Sequence, residues 1–127
     1  MLSQVARQNT LFTALDKDSA EVFSDILRFC NDHFHRPLDL ETIAQRFGYH
    51  PTYLSKLFVQ KMGCKLTQYI HELRIDRAKQ MLTDDALSLK QVAISCGFGS
   101  FRTFNRVFFA REGISPSAYR KAHATAE

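Results

Sequence analysis

Apolar residues recur every three or four positions along most of the chain, which is the spacing of amphipathic helices. Strict alternation of apolar and polar residues, the pattern of a half-buried β-strand, is absent from the sequence, and glycines separate the helical segments. The pattern predicts an all-α fold with about seven helices.

Residues 87–119 show the clearest local pattern. Ser88 and Gln91 have the spacing of a capping box, and Gly97 follows the last periodic position of the short helix that this box starts. Ser100 has a side chain that can cap a second helix. The two faces of that second helix differ: Phe104, Val107 and Phe108 form an apolar face, and Phe101, Arg102, Asn105 and Arg106 form the opposite one. The segment is therefore predicted to be a helix-turn-helix motif.

An earlier part of the chain repeats this arrangement, about 50 residues upstream. Before the turn the offset is constant, and the pairs are Leu40 and Leu89, Ile43 and Val92, Ala44 and Ala93, and Gly48 and Gly97. After the turn the offset is one residue larger, and the pairs are Leu54 and Phe104, Leu57 and Val107, Phe58 and Phe108, Gly63 and Gly113, and Tyr69 and Tyr119. The chain is thus predicted to contain two copies of one unit.

This repeat predicts two helix-turn-helix subdomains joined by a long helix. We assign residues 18–65 to the first subdomain, residues 66–82 to the connecting helix and residues 83–121 to the second subdomain. Residues 1–17 lack caps and periodicity and are expected to be a linker or flexible arm, and residues 122–127 are expected to be a frayed tail.

Local signals predict where the other helices begin and end. The first helix is expected to start near Asp18, to pack on the first repeat and to stop before Pro37, because the residue before a proline is pushed out of the helical region. Asp39 and Ser115 are expected to be caps of later helices, and His50 also occupies a cap position.

The connecting helix would be roughly 25 Å long at a rise of about 1.5 Å per residue. Its apolar face rotates along the helix axis, so we expect contacts with both copies. Leu66, Tyr69, Ile70 and Leu73 would face the first copy, and Ile75, Ala78, Met81 and Leu82 would face the second. Such a helix would hold the two exposed helices at a set separation.

Positive charge is concentrated in the two stretches of chain that begin at the glycine turns. The chain carries 17 Lys and Arg residues against 13 Asp and Glu residues, a net charge of +4. Residues 48–82 hold six basic and two acidic residues, and residues 97–127 hold five and two. This distribution favours a polyanionic partner such as nucleic acid, whereas the net charge alone would indicate an ordinary solvated surface.

Other kinds of site find little support in the sequence. Cys30, Cys64 and Cys96 form no Cys-x-x-Cys pair and are expected to be reduced, partly buried thiols. His33 and His35 are two residues apart, whereas ligand pairs on a helix need a spacing of three or four. We expect no metal, no cofactor and no enzyme activity. Since no apolar run approaches roughly 18 residues, we expect a cytoplasmic protein that does not bind a membrane.

Several motifs resemble those of the AraC/XylS family of bacterial transcription regulators. They are Gly97-Phe98, Phe104-x-Arg106-x-Phe108 and Gly113-Ile114-Ser115-Pro116-x-x-Tyr119-Arg120, together with Arg74-x-x-x-Ala78-x-x-x-Leu82 in the connecting helix. The resemblance covers roughly residues 20–121, and the combination is more specific than any single helix-turn-helix match. It implies that both exposed helices enter successive major-groove segments on one face of DNA.

The resemblance also implies which residues contact DNA. By position, the candidates for base contact are Thr52, Ser55, Lys56, Phe101, Arg102, Asn105 and Arg106. Arginine can offer paired donors to guanine, asparagine can bind adenine in the same manner, and a phenylalanine can rest on a thymine methyl group. The candidates for phosphate contact are Lys61, Arg74, Arg111 and Lys121.

The chain departs from the family pattern directly after the conserved phenylalanine of each copy. The family often has a basic residue there, and this chain has Val59 and Phe109. We expect Phe109 to pack on the last helix, and a protein-contact surface is the alternative.

We therefore predict a sequence-specific transcription regulator that binds double-stranded DNA as a monomer, with RNA polymerase as a candidate second partner. The alternative is an all-α protein-interaction module that uses Val59 and Phe109 as a contact patch. The two hypotheses differ in whether the protein retards DNA in an electrophoretic shift assay at low salt.

Overall fold

The computed structural model describes residues 11–124, with side chains described from Ala20 onward. Within these residues it contains seven α-helices and no strands, which confirms the all-α prediction. None of the described helices is both long and apolar enough to span a membrane. In chain order they are α1 (Leu11–His33), α2 (Leu40–Phe47), α3 (Pro51–Met62), α4 (Leu66–Leu82), α5 (Leu89–Ser95), α6 (Phe101–Glu112) and α7 (Pro116–His123).

The described chain forms two compact units that divide after Asp32. The first unit contains α1, which buries the side chains of Phe23, Ile26 and Cys30. The second unit contains α2 to α7, with α2 and α5 as the scaffold helices and α3 and α6 as the exposed helices of the two motifs. The packing of α1 on the first repeat stays a prediction.

The start of α1 differs from the prediction. The helix begins at Leu11 rather than near Asp18, so residues 11–17 are helical. This segment has no proline or glycine that would stop a helix, and a helix can begin without a strong capping signal. At the other end, α7 continues to His123. Residues 1–10 and 125–127, which the predicted arm and tail include, lie outside the described residues.

Side-chain caps fix where most helices of the second unit begin. Five of its six helices have a side chain that accepts a hydrogen bond from a backbone N–H group of the first turn. The exception is α4, whose first flanking residue Lys65 makes no such bond. The five caps are those that the sequence predicted: Asp39, His50, Ser88, Ser100 and Ser115.

The connecting helix α4 belongs to both motifs. Its bounds are the predicted ones, and it packs against α3, α5, α6 and α7. Leu66 and Ile70 are buried in its first half. In its second half, Ile75, Ala78 and Leu82 join the apolar core of the second motif, which also contains Val92, Ala93, Cys96, Phe98, Phe104, Val107 and Phe108. The predicted rotation of the apolar face is therefore confirmed.

The two copies bury equivalent side chains in the same way. The ring of Phe58 meets the ring of Tyr69 edge-to-face with 5.6 Å between their centroids, and Phe108 meets Tyr119 edge-to-face at 5.5 Å. Favourable aromatic pairs have this offset geometry. The internal repeat predicted from the sequence is thus also a repeat of packing.

Arg74 of α4 holds the chain segment that leads into the scaffold helix α2. Its Nε group donates to the carbonyl oxygen of Phe34 at 2.7 Å, and its Nη2 group donates to that of Arg36 at 2.9 Å. The planar guanidinium suits this task because its donors have a fixed geometry.

Arg120 of α7 makes the equivalent contact before the scaffold helix α5. It donates from Nε to the carbonyl oxygen of Leu82 at 2.9 Å and from Nη2 to that of Asp84 at 3.1 Å. In both copies, one guanidinium therefore binds two carbonyl groups that are two residues apart. Arg74 and Arg120 do not correspond at the constant offset of the repeat, so the shared contact is visible only in three dimensions.

Candidate nucleic-acid interface

The exposed helix α3 presents a polar face because its apolar residues are turned inward. The buried residues are Leu54, Leu57 and Phe58. On the remaining surface, Thr52 and Lys56 are exposed and Ser55 is half-buried. Helix α3 therefore offers one cation and two hydroxyl groups among the residues predicted to contact bases.

The exposed helix α6 has the same plan with a more basic face. Its buried residues are Phe104, Val107 and Phe108. Arg102 and Arg106 are exposed and lie four residues apart, so they point to the same side of the helix, and Asn105 is half-buried beside them. Helix α6 thus offers two guanidinium groups and one amide.

Phe101 begins α6 at the edge of the core. It is half-buried, it packs against the core of the second motif, and its ring centroid lies 6.2 Å from that of Phe104. Part of the ring is therefore buried by packing, and only its exposed part is available to contact a base.

The predicted phosphate contacts fall into different environments. Lys61 at the end of α3 and Lys121 in α7 are exposed. Arg111 is also exposed, but its Nη2 group lies 3.0 Å from a carboxylate oxygen of Glu72 in α4. An anion that binds Arg111 must compete with Glu72 or share the guanidinium with it.

The prediction that Arg74 contacts phosphate was wrong. This residue is only 8% exposed, two of its nitrogen atoms donate to backbone carbonyl groups, and its guanidinium lies 5.7 Å from the centroid of the Phe98 ring. Burial also lowers the pKa of Arg74. The sequence contained a signal for this role, because Arg74 lies four residues after Ile70 and four before Ala78, on the buried face of α4.

A concave site that the sequence did not predict lies between α4 and α6. It is a cavity of about 270 Å³. Arg106 was predicted to contact bases and Arg111 to contact phosphate, and the groove brings them together with two polar side chains of α4. We call this site the α4/α6 groove, and its lining residues are Gln68, His71, Arg106, Val107, Ala110 and Arg111.

His71 is half-buried at the edge of the α4/α6 groove. Its ring centroid lies 5.9 Å from that of Phe98. Burial lowers the pKa of His71 below its ordinary value, and the positive charges of Arg74 and Arg106 lower it further. The imidazole is therefore neutral near pH 7.

Two apolar side chains interrupt the outer surfaces of the exposed helices. Val59 is 43% exposed and Phe109 is 58% exposed. The expectation that Phe109 packs on the last helix was wrong, since most of the side chain faces solvent. Its place, one residue after the buried Phe108, turns it away from the core.

The cysteines show no sign of reactive thiol chemistry in this interface. Cys30 and Cys96 are buried, Cys64 is half-buried, and all three are free. Burial raises the pKa of the Cys30 and Cys96 thiols to about 11, so both are protonated at neutral pH. The prediction of buried thiols is confirmed for these two residues.

Two exposed helices with polar faces, each preceded by a scaffold helix and joined by α4, define a double helix-turn-helix domain. A family model described as a helix-turn-helix domain matches residues 43–122. Similar solved structures include an AraC-type transcriptional regulator from Chromobacterium violaceum, at 27% identity and a TM-score of 0.73, over 87% of this chain and 99% of that one. The chain belongs to the AraC-type helix-turn-helix family, as its motifs indicated. This is a family of regulator DNA-binding domains and not of enzymes.

Two further similar proteins are a DNA-binding domain solved with DNA and a curated regulator. The DNA-binding domain of the transcriptional factor AdpA, solved in complex with a target DNA, is 28% identical with a TM-score of 0.74, over 79% of this chain and 90% of that one. The HTH-type transcriptional regulator YpdC of Escherichia coli is 34% identical over 98 residues, which are 77% of this chain. The chain spans between 14% and 37% of the length of four curated relatives at 30% to 34% identity.

Proposed function

We propose that this chain is the DNA-binding unit of a transcription regulator and that it recognises a specific sequence of double-stranded DNA. The observation that carries the proposal is the exposed face of α6, where Arg102 and Arg106 lie on one side of a capped helix in the second position of a helix-turn-helix motif. The likeness to the AdpA domain, which was solved with DNA, supports the same conclusion.

The base contacts that we propose follow from the side-chain chemistry of each exposed helix. Arg102 and Arg106 would each donate two hydrogen bonds to guanine, and Asn105 would bind adenine. In α3, Lys56 would reach guanine or a phosphate group. The remaining contacts would be made by Thr52 and Ser55 through their hydroxyl groups and by the exposed part of Phe101 against a thymine methyl group.

The arrangement along DNA depends on α4. A helix of 17 residues is about 25 Å long, and we propose that it holds α3 and α6 so that they enter successive major-groove segments of one DNA face. One chain would then bind two half-sites roughly 10 base pairs apart, without a second protomer. Lys61, Lys121 and Arg111 would contact the phosphate groups.

Binding to a promoter would bring the chain to the transcription machinery in the cytoplasm. We propose RNA polymerase as its second partner, because an exposed aromatic side chain such as Phe109 is available for a protein contact while the polar faces are occupied by DNA. In a purified transcription assay, replacing Phe109 by serine should then change the transcript level without changing DNA affinity. An unchanged transcript level would remove Phe109 from this role.

Selection of bound sequences from a random DNA pool tests the proposed function. We expect a bipartite motif whose halves are centred roughly 10 base pairs apart. Insertion of 5 base pairs between the halves should abolish specific binding, because it moves one half-site to the opposite face of the duplex. Enrichment of no motif would contradict sequence-specific recognition, and a single uninterrupted half-site would contradict the use of both exposed helices.

A further inference from the structure

The α4/α6 groove lies along the face of α6 that carries the proposed base contacts. Arg106 and Ala110 line the groove, and they follow Arg102 by four and eight residues. Residues at this spacing share one side of a helix. A duplex that contacts Arg102 would therefore pass close to the mouth of the groove.

The charges around the groove favour an anion. Arg106 and Arg111 line it from α6. Arg74 of α4 does not line the groove, but its positive charge acts on His71. Glu72 of α4 is paired with Arg111 at 3.0 Å. Two lining guanidinium groups and one paired carboxylate, with the guanidinium of Arg74 acting on His71, leave a net positive site.

We propose that the α4/α6 groove binds one phosphate group of the DNA backbone, with Arg111 as the charged ligand and with Gln68 and His71 donating hydrogen bonds from α4. Arg106, which would donate to guanine, adds positive charge beside the phosphate. This inference rests on the proposed function, since the phosphate belongs to the duplex that α6 recognises. The cavity volume of about 270 Å³ is larger than a phosphate group requires, which leaves room for the attached sugar. Helix α4 would then be part of the interface as well as a connector.

A phosphate in the groove would change the protonation of His71. Burial lowers the pKa of the imidazole most, and Arg74 and Arg106 lower it further. The negative charge of the phosphate would offset these two cations, so we expect the pKa to rise on binding. A group whose pKa is higher in the complex takes up a proton on binding. DNA affinity should therefore increase as the pH falls through the pKa of the bound state, and the increase should end below the pKa of the free state.

The dependence of DNA affinity on salt tests the charge in the groove. Replacing Arg111 by glutamine should reduce the slope of log K against log salt by about 0.9, the loss of one neutralised phosphate. Replacing Glu72 by glutamine should tighten binding, because it releases Arg111. The matched control is Glu112→Gln, which removes another carboxylate between α4 and α6. Glu112 is paired at 3.3 Å with Lys79, which does not line the groove, whereas the partner of Glu72 does.

Equal effects of Glu72→Gln and Glu112→Gln would mean that only the total charge matters, and they would overturn the inference. An unchanged slope of log K against log salt for Arg111→Gln would also overturn the inference. If Arg102→Ala nevertheless weakened specific binding in the same assay, the proposed function would stand while the groove lost its role. If Arg102→Ala also left specific binding unchanged, the proposed use of α6 in recognition would fail, whereas the proposed function itself fails only if no sequence motif is selected.

The pH profile tests His71 directly. His71→Gln keeps a hydrogen-bond donor but cannot titrate, so it should bind DNA with a flatter dependence on pH between about 5 and 8 than the parent does. The other histidines are present in both proteins, and their contribution cancels in the comparison. Identical profiles would overturn the role of His71.

A separate measurement distinguishes the source of the phosphate. Inorganic phosphate, titrated into the DNA-free protein and followed by the ring resonances of His71, should produce no saturating shift at millimolar concentration if the groove needs a phosphate carried on DNA. Saturation in that range, lost in Arg111→Gln, would assign the groove to a free anion and overturn the proposed source.

Discussion

The two helix-turn-helix motifs share a plan but differ at the glycine of the turn. Gly48 has a φ of +77° and open space around the position of a Cβ atom. Gly97 has a φ of +100°, and a Cβ atom there would lie 2.5 Å from the carbonyl oxygen of Phe34 and 2.9 Å from Nε of Arg74. The first turn needs glycine for its backbone conformation alone, whereas the second also needs it for close packing.

The outer faces of the exposed helices differ as well. Helix α3 offers one cation, Lys56, with hydroxyl groups beside it, whereas α6 offers Arg102, Arg106 and the amide of Asn105. Guanidinium and amide groups form paired hydrogen bonds with single bases, and an ammonium group is a point charge. We infer that the second motif supplies most of the sequence discrimination and the first mainly supplies affinity.

The largest expected difference between the motifs concerns their turns. Gly48→Ala should lower the free energy of unfolding by about 1 to 2 kcal/mol, the cost of a left-handed conformation. Gly97→Ala should lower it by about 3 kcal/mol or more, because overpacking against backbone adds to that cost. Urea denaturation of both variants measures the difference, and equal losses would show that the second turn is not restricted by packing.

The guanidinium contacts provide the next comparison. Arg74→Lys should lower the free energy of unfolding by about 1.5 to 3 kcal/mol, since lysine lacks the two separate nitrogen donors that the guanidinium directs at the two carbonyl groups. Arg120→Lys should cost less, because this residue is only half-buried and water can replace the lost bond. Thermal unfolding monitored by circular dichroism measures both losses of stability. A larger loss for Arg120→Lys than for Arg74→Lys would contradict the role assigned to burial.

The outer faces can be compared through DNA binding. Arg106→Ala should cost about 1 to 3 kcal/mol of binding free energy and relax the preference at one base pair. Lys56→Ala should weaken binding to all sequences to a similar extent and reduce the salt slope. Titrations against the selected site and single-base variants separate these outcomes. A greater loss of sequence specificity for Lys56→Ala than for Arg106→Ala would contradict the inference that the second motif supplies most of the discrimination.

The smallest effect is expected at Val59 and Phe109, the apolar residues that directly follow the buried phenylalanine of each motif. Val59→Ser and Phe109→Ser should each change the free energy of unfolding by no more than about 0.5 kcal/mol, because both residues lie on the surface and outside the core. Chemical denaturation provides the measurement. A loss of several kcal/mol at Phe109 alone would mean that its contacts contribute more than its exposure indicates.

The sequence predicted the features that depend on neighbouring residues. The bounds of α4 and the five caps follow from periodicity and from side chains three residues or fewer from the amide groups they bind. The role of Arg74 was missed because its partners are about 40 residues away and are carbonyl groups, which every residue has. The α4/α6 groove was missed for a related reason, since neither Gln68 nor His71 belongs to a local motif. The early start of α1 had no cap to mark it.

The shared helix α4 limits how this protein can be divided. A fragment that ended at Thr83 would expose Ile75, Ala78 and Leu82 to water. A fragment that began at Thr83 would lack these three side chains, which belong to the hydrophobic core of the second motif. Neither half should be an autonomous module. A recombinant graft of the second motif onto another scaffold would therefore need to begin inside α4, near Ile75, for the transplanted half to fold.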